Sequence, residues 1–156
     1  MTMINRLVLL VMVLFTFSCT KDENTSIKEI NYGTSFGECI GYCITTMIVD
    51  ADSIKVIKGS WLNSVIPIRY SDPVKINEWI KLCGHFDKDS FFNMKEIYGC
   101  PDCADGGAEW VEIVLDNGEH HKVTFEYHNE PDELNEPVII LRDFMEQVIG
   151  CDYCDN

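Results

Sequence analysis

The sequence predicts an α+β domain in which a small antiparallel sheet with a C-terminal hairpin carries two main helices packed on one face. Three observations support this class. Several short segments alternate apolar and polar residues, as half-buried strands do. Two longer segments repeat apolar residues with the period of a helix. An Asn-Gly pair, which readily forms a tight turn, joins the two clearest strands.

The first strands are expected to follow one another closely. Residues 27–32 alternate as a first strand does, and residues 40–49 are β-branched and apolar, as in a central strand. The run Asp-Ala-Asp-Ser at 50–53 predicts a turn into a third strand. Residues 61–70 are apolar but contain Pro67, so an edge strand or an irregular segment is expected there.

Two segments predict the main helices. In the first, Asp72 is the expected N-cap, Pro73 takes the first helical position and Gly84 ends the helix. Its expected buried stripe is Ile76, Trp79, Ile80 and Cys83. The second helix begins at Asn135 and runs to about Ile149. Its expected apolar stripe is Val138, Leu141, Phe144, Met145 and Val148.

Between these helices the sequence predicts a helical turn and a hairpin. Residues 87–98 indicate a short helical turn that buries Phe91, Phe92 and Met94. Strands over 109–115 and 121–127 are joined by the turn at 116–119. One face of the second strand is expected to be buried and carries His121, Val123, Phe125 and Tyr127. The other is expected to be solvated and carries His120, Lys122, Thr124, Glu126 and His128.

The N-terminus has the pattern of an export signal. A basic start with Arg6 precedes an apolar run over residues 7–17, which is shorter than the roughly 20 residues that span a bilayer as a helix. The small residue Ser18 then stands directly before Cys19. This pattern resembles the type II signal peptides of bacterial lipoproteins, whose cysteine becomes the lipid-bearing first residue of the mature protein.

The resemblance implies a signal peptide over residues 1–18, lipid attachment at Cys19 and a membrane tether over residues 19–27. The Lys-Asp-Glu run at 21–23 resembles the signal of surface-exported lipoproteins in Bacteroidota-type bacteria. The implied location is the outer membrane, on its outer face or alternatively on its periplasmic face. Ordinary secretion with an unmodified Cys19, or an uncut anchor, are the competing interpretations.

Residues 28–150 are expected to form one domain, followed by a tail over residues 151–156 that carries Cys151 and Cys154. The domain opens with Cys-Ile-Gly-Tyr-Cys at 39–43 and continues with FFNMKEIY at 91–98, the hairpin and a closing helix. This order is similar to that of a family of uncharacterised bacterial lipoprotein domains with a Cys-x-Gly-x-Cys start. The resemblance implies a fold and a location, and no activity.

The charge of the chain restricts its partners. The 26 acidic and 12 basic side chains give a net charge of −14, and removing residues 1–18 takes away only Arg6, which leaves 11 − 26 = −15. Such a surface repels phosphate backbones and anionic headgroups, so neither nucleic acid nor a charge-bound lipid surface is expected. Solubility explains the charge most simply; a cation or a basic partner is the alternative. The sequence identifies no particular protein or small-molecule partner.

Eight cysteines suggest an oxidised, extracytoplasmic protein. Besides Cys19 and Cys83, they form three close pairs: Cys39 and Cys43, Cys100 and Cys103, and Cys151 and Cys154. Structural disulfides are expected, within or across pairs. In a straight strand the sulfurs of 39 and 43 would lie about 13 Å apart, so a local bond needs a turn, which Gly41 permits. Cys83 is expected to be a buried free thiol.

The cysteines also allow two sharper interpretations. The pair Cys100 and Cys103 fits thiol–disulfide exchange, and a zinc or copper site needs two pairs to converge, 100/103 with 151/154 or with 39/43. A metal held by Glu126 and His128 is a further alternative to a solvated face. No H-E-x-x-H, G-x-S-x-G or Gly-rich phosphate loop is present. The sequence therefore favours a non-enzymatic accessory or binding domain without a cofactor, with an envelope metal-binding or thiol-redox protein as the alternative.

Overall fold

The computed structural model describes residues 25–62 and 64–150. These residues form seven strands and three α-helices, in the order β1 (Ile27–Ser35), β2 (Ile44–Val49), β3 (Ser53–Gly59), β4 (Ile68–Pro73), α1 (Ile76–Gly84), α2 (Lys88–Phe92), β5 (Ile97–Tyr98), β6 (Ala108–Leu115), β7 (His120–Glu126) and α3 (Asn135–Gly150). Short 3₁₀ turns occupy Cys103–Asp105 and Asp132–Leu134.

All seven strands belong to one sheet in the order β4-β3-β2-β1-β6-β7-β5. Its neighbours are antiparallel except β5 and β7, which run parallel, so the sheet is mixed. Among the described residues, α3 is the one long helix, beside two short ones. The predicted small antiparallel sheet with two main helices is therefore wrong. The sequence underestimates the sheet because its edge strands β4 and β5 lack clear alternation.

The helices cover one face of the sheet, and the core lies between them. The sheet contributes Ile30, Tyr32, Met47, Val49, Ile54, Val56, Val111, Ile113, Val123 and Phe125. The helices and the segments beside them contribute Trp79, Leu82, Phe86, Phe91, Leu134, Val138, Leu141, Met145 and Val148.

Within residues 25–62 and 64–150, no helix combines the length and the apolar composition needed to cross a membrane.

The first helix differs from its prediction. Asp72 and Pro73 end strand β4, where they pair with Ile54 and Ser53 of β3, and α1 begins only at Ile76. Pairing with a neighbouring strand thus overrides a local helix-start signal, and the end of an edge strand tolerates proline. The buried stripe is also rotated, because Trp79, Leu82 and Phe86 are buried while Ile76 and Ile80 are exposed.

The hairpin and the last helix lie where the sequence predicts them. On the predicted buried face of the second hairpin strand, Val123 and Phe125 are buried and His121 is half-buried, but Tyr127 lies beyond the end of β7 and is exposed. β6 and β7 pair in register around the turn at 116–119, where Gly118 has a φ of 86°. α3 begins at Asn135 and buries the predicted stripe apart from Phe144, which is half-buried. Phe91 of α2 is buried, and Phe92 and Met94 pack partly against the core.

Candidate functional site

The strands place two sets of connections at opposite ends of the sheet. One end, called the loop end, carries residues 36–43, 60–62, 64–67, 99–107 and 127–134. The other, called the tether end, carries the turns at 50–52 and 116–119 and the start of β1. There Ser26 Oγ donates to the Asp116 carboxylate at 2.9 Å. Both described cysteine pairs lie at the loop end, which is therefore the candidate site.

A disulfide closes the loop between β1 and β2. Cys39 and Cys43 are bonded, with their Cα atoms 5.6 Å apart, and Gly41 between them takes a φ of 102°. The chain leaves the extended conformation here, and β2 begins at Ile44 instead of residue 40. The Cys43 N–H donates to the carbonyl of Gly59 at 2.9 Å. This hydrogen bond links the disulfide-closed loop to the end of β3.

Six large apolar side chains are exposed at the loop end, five on the segments 36–43, 60–62 and 64–67 and one at the start of β4. Together they are called the apolar cluster: Ile40, Tyr42, Trp61, Leu62, Ile66 and Ile68. Ile40, Leu62 and Ile66 are each more than 80% exposed. The Tyr42 hydroxyl donates to the carbonyl of Ile66 at 3.1 Å, and Trp61 Nε1 donates to the carbonyl of Phe36 at 2.9 Å. The polar atoms of both aromatic residues are thus satisfied within the chain.

A second disulfide, Cys100–Cys103, closes the loop before β6, with Cα atoms 5.5 Å apart. The Cys100 N–H donates to Glu126 Oε1 at 2.9 Å, and the Asp102 N–H donates to the Gly107 carbonyl at 3.1 Å. The first of these hydrogen bonds is the main cause that lowers the pKa of Glu126. The loop is therefore fixed to the end of β7 by an ionised carboxylate.

A buried polar network lies beneath the loop end. The Glu109 carboxylate is fully buried and accepts hydrogen bonds from Arg142 Nε at 2.9 Å and Arg142 Nη2 at 2.6 Å. The Tyr32 hydroxyl also donates to Glu109, and the His128 N–H donates to Glu109 Oε2 at 2.8 Å. Arg142 Nη1 and Nη2 bind the two oxygens of Glu130 at 3.1 and 2.6 Å. The network joins β6, α3 and the 127–134 segment.

The titration of the network shows its role. The hydrogen bond to Glu109 raises the pKa of Arg142, and burial raises the pKa of the Tyr32 hydroxyl. The hydrogen bond from Arg142 lowers the pKa of Glu130. Arg142 is thus a fixed cation and Tyr32 a neutral donor. Because both oxygens of each carboxylate are already bonded, the network supplies no free acid or base and acts as a structural link.

Glu126 and His128 do not form a metal pair. Strand β7 ends at Glu126, and His128 has a left-handed φ of 60°. The Glu126 carboxylate is occupied by Cys100 and by the Asn129 side chain, whose Nδ2 donates at 2.6 Å. The His128 ring lies against the Tyr127 ring, with centroids 4.1 Å apart.

The other described residues offer no metal site and only a small cleft for a ligand. In residues 25–62 and 64–150, no three His, Cys, Asp or Glu side chains are grouped so that they could hold a metal ion. A cleft of about 220 Å³ lies beside His85, Asp87 and Glu133. It is smaller than typical ligand pockets of roughly 300–1,000 Å³. His85 and Asp87 are also engaged, with Glu136 and the Ser90 N–H.

The structure bears on only some of the predicted cysteines. The expectation of disulfides is confirmed for Cys39–Cys43 and Cys100–Cys103, and both bonds form within a pair, so these sulfurs are not free thiolates for zinc or copper. Cys83 is a half-buried free thiol, and burial raises its pKa to about 11. Cys19, Cys151 and Cys154 lie outside the described residues.

The sequence did not indicate the apolar cluster or the polar network. One signal for the network was available, because Glu109 lies on the same face of strand β6 as Val111, Ile113 and Leu115, which places an acid on the buried face.

A scan against protein-family models found none that matches the chain, and a search of curated proteins found no match.

Proposed function

We propose that this chain is a lipoprotein of the bacterial envelope, held at the outer membrane by lipid on Cys19, with a non-enzymatic accessory or binding domain. The export pattern of residues 1–19 supports the anchor. The observation that carries the binding role is the apolar cluster at the loop end. Exposed apolar patches on soluble domains commonly mark sites of protein interaction.

The position of the first described residues supports an anchor opposite the cluster. Ser26 is bonded to Asp116 at the tether end, and Lys88 Nζ donates to the carbonyl of Thr25 at 3.0 Å. The 25 − 19 = 6 residue steps from Cys19 to Thr25 extend to about 20 Å at most. The nine residues of β1 rise about 30 Å towards the loop end. A lipid on Cys19 would therefore leave the cluster facing away from the membrane.

The cluster is also preorganised for contact. The Cys39–Cys43 disulfide and the bond from the Cys43 N–H to Gly59 fix the first loop. The hydrogen bonds of Tyr42 and Trp61 then fix one loop against the other. A rigid surface loses less conformational entropy on binding, and tyrosine and tryptophan are enriched among residues that dominate binding energy.

The charge of the chain selects the kind of partner. With a net charge of 11 − 26 = −15 after residue 18, the chain attracts basic protein surfaces and repels anionic bilayers. The proposed occupant of the cluster is therefore another envelope protein, which presents an apolar pocket within a basic surface.

Charged substitutions in the cluster are expected to abolish partner binding. In the variant Leu62→Asp/Ile66→Asp, two carboxylates replace apolar side chains that would be desolvated in the complex, so affinity should fall at least about tenfold. The measurement is quantitative capture from detergent-solubilised envelopes of the source bacterium. A photo-crosslinking residue placed at position 62 of the otherwise unchanged chain then locates the contact.

The matched control is Ile76→Asp/Ile80→Asp, which adds the same charge at two exposed apolar residues of α1. We expect the control to retain the same partner. Equal capture by both variants, or a crosslink to lipid only, would contradict the proposal. So would binding of the unlipidated chain to phosphatidylethanolamine–phosphatidylglycerol vesicles.

The anchor is tested separately. Cys19→Ser is expected to move the protein from the membrane fraction to the soluble fraction, because the acyl chains supply most of the membrane affinity. Intact mass of the native protein should show loss of residues 1–18 and the mass of the lipid. Cys83→Ser is the control and should stay in the membrane fraction. A Cys19→Ser variant that is equally membrane-bound would refute the anchor.

A further inference from the structure

We propose that Cys100–Cys103 is a thiol–disulfide exchange site that accepts electrons from an exposed dithiol of another protein. The inference rests on the contrast between the two disulfides of the loop end. It does not depend on the apolar cluster or on its partner.

The two disulfides differ in accessibility. Cys100 and Cys103 are both exposed, whereas Cys43 is only 2% exposed and Cys39 is half-buried. An attacking thiolate must approach one sulfur directly, so exchange depends on access to the bond. The Cys100–Cys103 bond meets this condition.

The two loops also differ in backbone conformation. Asp102, inside the ring closed by Cys100–Cys103, has a φ of 61°, and Ala104 and Asp105, directly after the ring, have φ angles of 51° and 61°. Alanine adopts this left-handed region at a cost, and aspartate does so at a smaller one. In the other loop Gly41 takes the left-handed position, where glycine has no such cost. Opening the Cys100–Cys103 ring would therefore let Asp102 and the two residues beside the ring leave this conformation, and the Cys39–Cys43 ring has no such cost to release.

A buried carboxylate oxygen adds to this difference. Asp102 Oδ1 is buried and has no hydrogen-bond partner within the described part of the chain. A buried oxygen without a donor destabilises the state that buries it. When the loop opens, Asp102 gains access to water, which again favours the reduced form.

The ends of the loop remain held when the disulfide opens. The Cys100 N–H donates a hydrogen bond to the Glu126 carboxylate at the start of the loop. The Asp102 N–H donates one to the Gly107 carbonyl, which holds the end of the loop. Gly99, with a φ of 68°, allows the close approach of Glu126, because a Cβ at this position would overlap the carboxylate. The two thiols therefore stay near each other after reduction.

The exchange is a two-electron transfer. A thiolate of the substrate attacks one sulfur of Cys100–Cys103 and forms a mixed disulfide, while the other sulfur leaves as a thiolate and takes up a proton. The second substrate thiol loses its proton and attacks the mixed disulfide at the substrate's own sulfur. The remaining cysteine leaves and is protonated. The substrate dithiol is oxidised to a disulfide, and Cys100–Cys103 is reduced to two thiols.

The Cys39–Cys43 disulfide provides an internal control. The processed full chain is equilibrated with mixtures of reduced and oxidised dithiothreitol, and the reduced fraction of each cysteine is measured by differential alkylation and peptide mass spectrometry. We expect Cys100–Cys103 to be half reduced at a ratio of reduced to oxidised dithiothreitol at least about tenfold lower than Cys39–Cys43. If the two pairs open together, or Cys39–Cys43 opens first, the proposal fails.

A glycine variant tests the strain. Ala104→Gly removes the cost of one left-handed residue, so the equilibrium constant for reduction should fall about fivefold. Gly37→Ala, at a glycine with open space around it, should leave the constant unchanged. An unchanged constant in Ala104→Gly would exclude strain as the cause.

A substrate assay completes the test. A peptide that carries two reduced cysteines should be oxidised by one equivalent of the wild-type chain and not by Cys100→Ser/Cys103→Ser, whose fold is checked by circular dichroism. Oxidation of the peptide by the double variant at the wild-type rate would overturn the assignment.

Discussion

Replacing Arg142 with leucine is expected to lower the free energy of unfolding by about 3–5 kcal/mol, the usual cost of removing one partner of a buried ion pair. The variant leaves the fully buried Glu109 carboxylate without its cation, while Tyr32 and the His128 N–H still donate to it. Urea denaturation followed by circular dichroism measures the change. The folded variant should also expose the 127–134 segment to proteolysis, because Glu130 loses its link to α3.

The control is Arg69→Leu, which removes the same charge from an exposed position on strand β4. A surface substitution of this kind usually changes stability by less than about 0.5 kcal/mol. If the two variants lose similar stability, the network contributes no more than overall charge does, and the assignment of Arg142 as a structural link is wrong.

The pH dependence gives an independent check of the same network. The hydrogen bond from Arg142 lowers the pKa of Glu130 from its ordinary value of 4.5. A lowered folded-state pKa gives stability that is present above the unfolded pKa and is lost as pH falls through the folded pKa. As the pH falls below 4.5, the free energy of unfolding of the wild type should therefore decrease more steeply than that of Glu130→Gln. Equal slopes would show that Glu130 is not coupled to Arg142.

The sequence predicted those elements whose signals are local. The hairpin was recognised because alternation and an Asn-Gly turn both lie within residues 109–127. Strand geometry showed only that a local disulfide at 39–43 would need a turn, which Gly41 permits, and left the pairing of the cysteines open. The edge strands were recognised only in part. An edge strand was one of two interpretations of residues 61–70, but the bounds of β4 are set by its register against β3, and β5 has only two residues. Strand pairing likewise decides the state of Asp72 and Pro73, whose local signal favours a helix.

The candidate site depends on contacts between residues that are distant in sequence. Glu109 and Arg142 are 33 residues apart, and nothing in either segment identifies the other as its partner. The apolar cluster combines residues 40 and 42 with residues 61, 62, 66 and 68, and within a strand-like apolar run Ile40 looks like a core residue. Ile40 is exposed because the Cys39–Cys43 disulfide turns the chain out of the extended conformation before β2 begins at Ile44.

A close approach between Gly33 and Trp110 gives the second large effect. The Trp110 ring lies across Gly33 on the neighbouring strand, and Lys122 Nζ stands 4.4 Å from the ring centroid. A Cβ at position 33 would overlap the ring and lie 2.8 Å from the carbonyl oxygen of Thr45. We expect Gly33→Ala to lower the free energy of unfolding by about 2–3 kcal/mol, in the upper range for an overpacked site. Urea denaturation measures the loss, and altered tryptophan fluorescence should accompany it.

Two further variants separate the causes of this effect. Gly59→Ala, at a glycine with no atoms within 4 Å of the added carbon, should change stability little, which excludes a general effect of glycine in strands. In a double-mutant cycle, Trp110→Leu should recover part of the loss in Gly33→Ala, because the smaller side chain removes the ring overlap. The remainder should persist, since the Thr45 carbonyl belongs to the backbone of β2 and cannot withdraw without disturbing the β1–β2 pairing. Full recovery would assign the whole effect to the ring, and no recovery would assign it to the backbone alone.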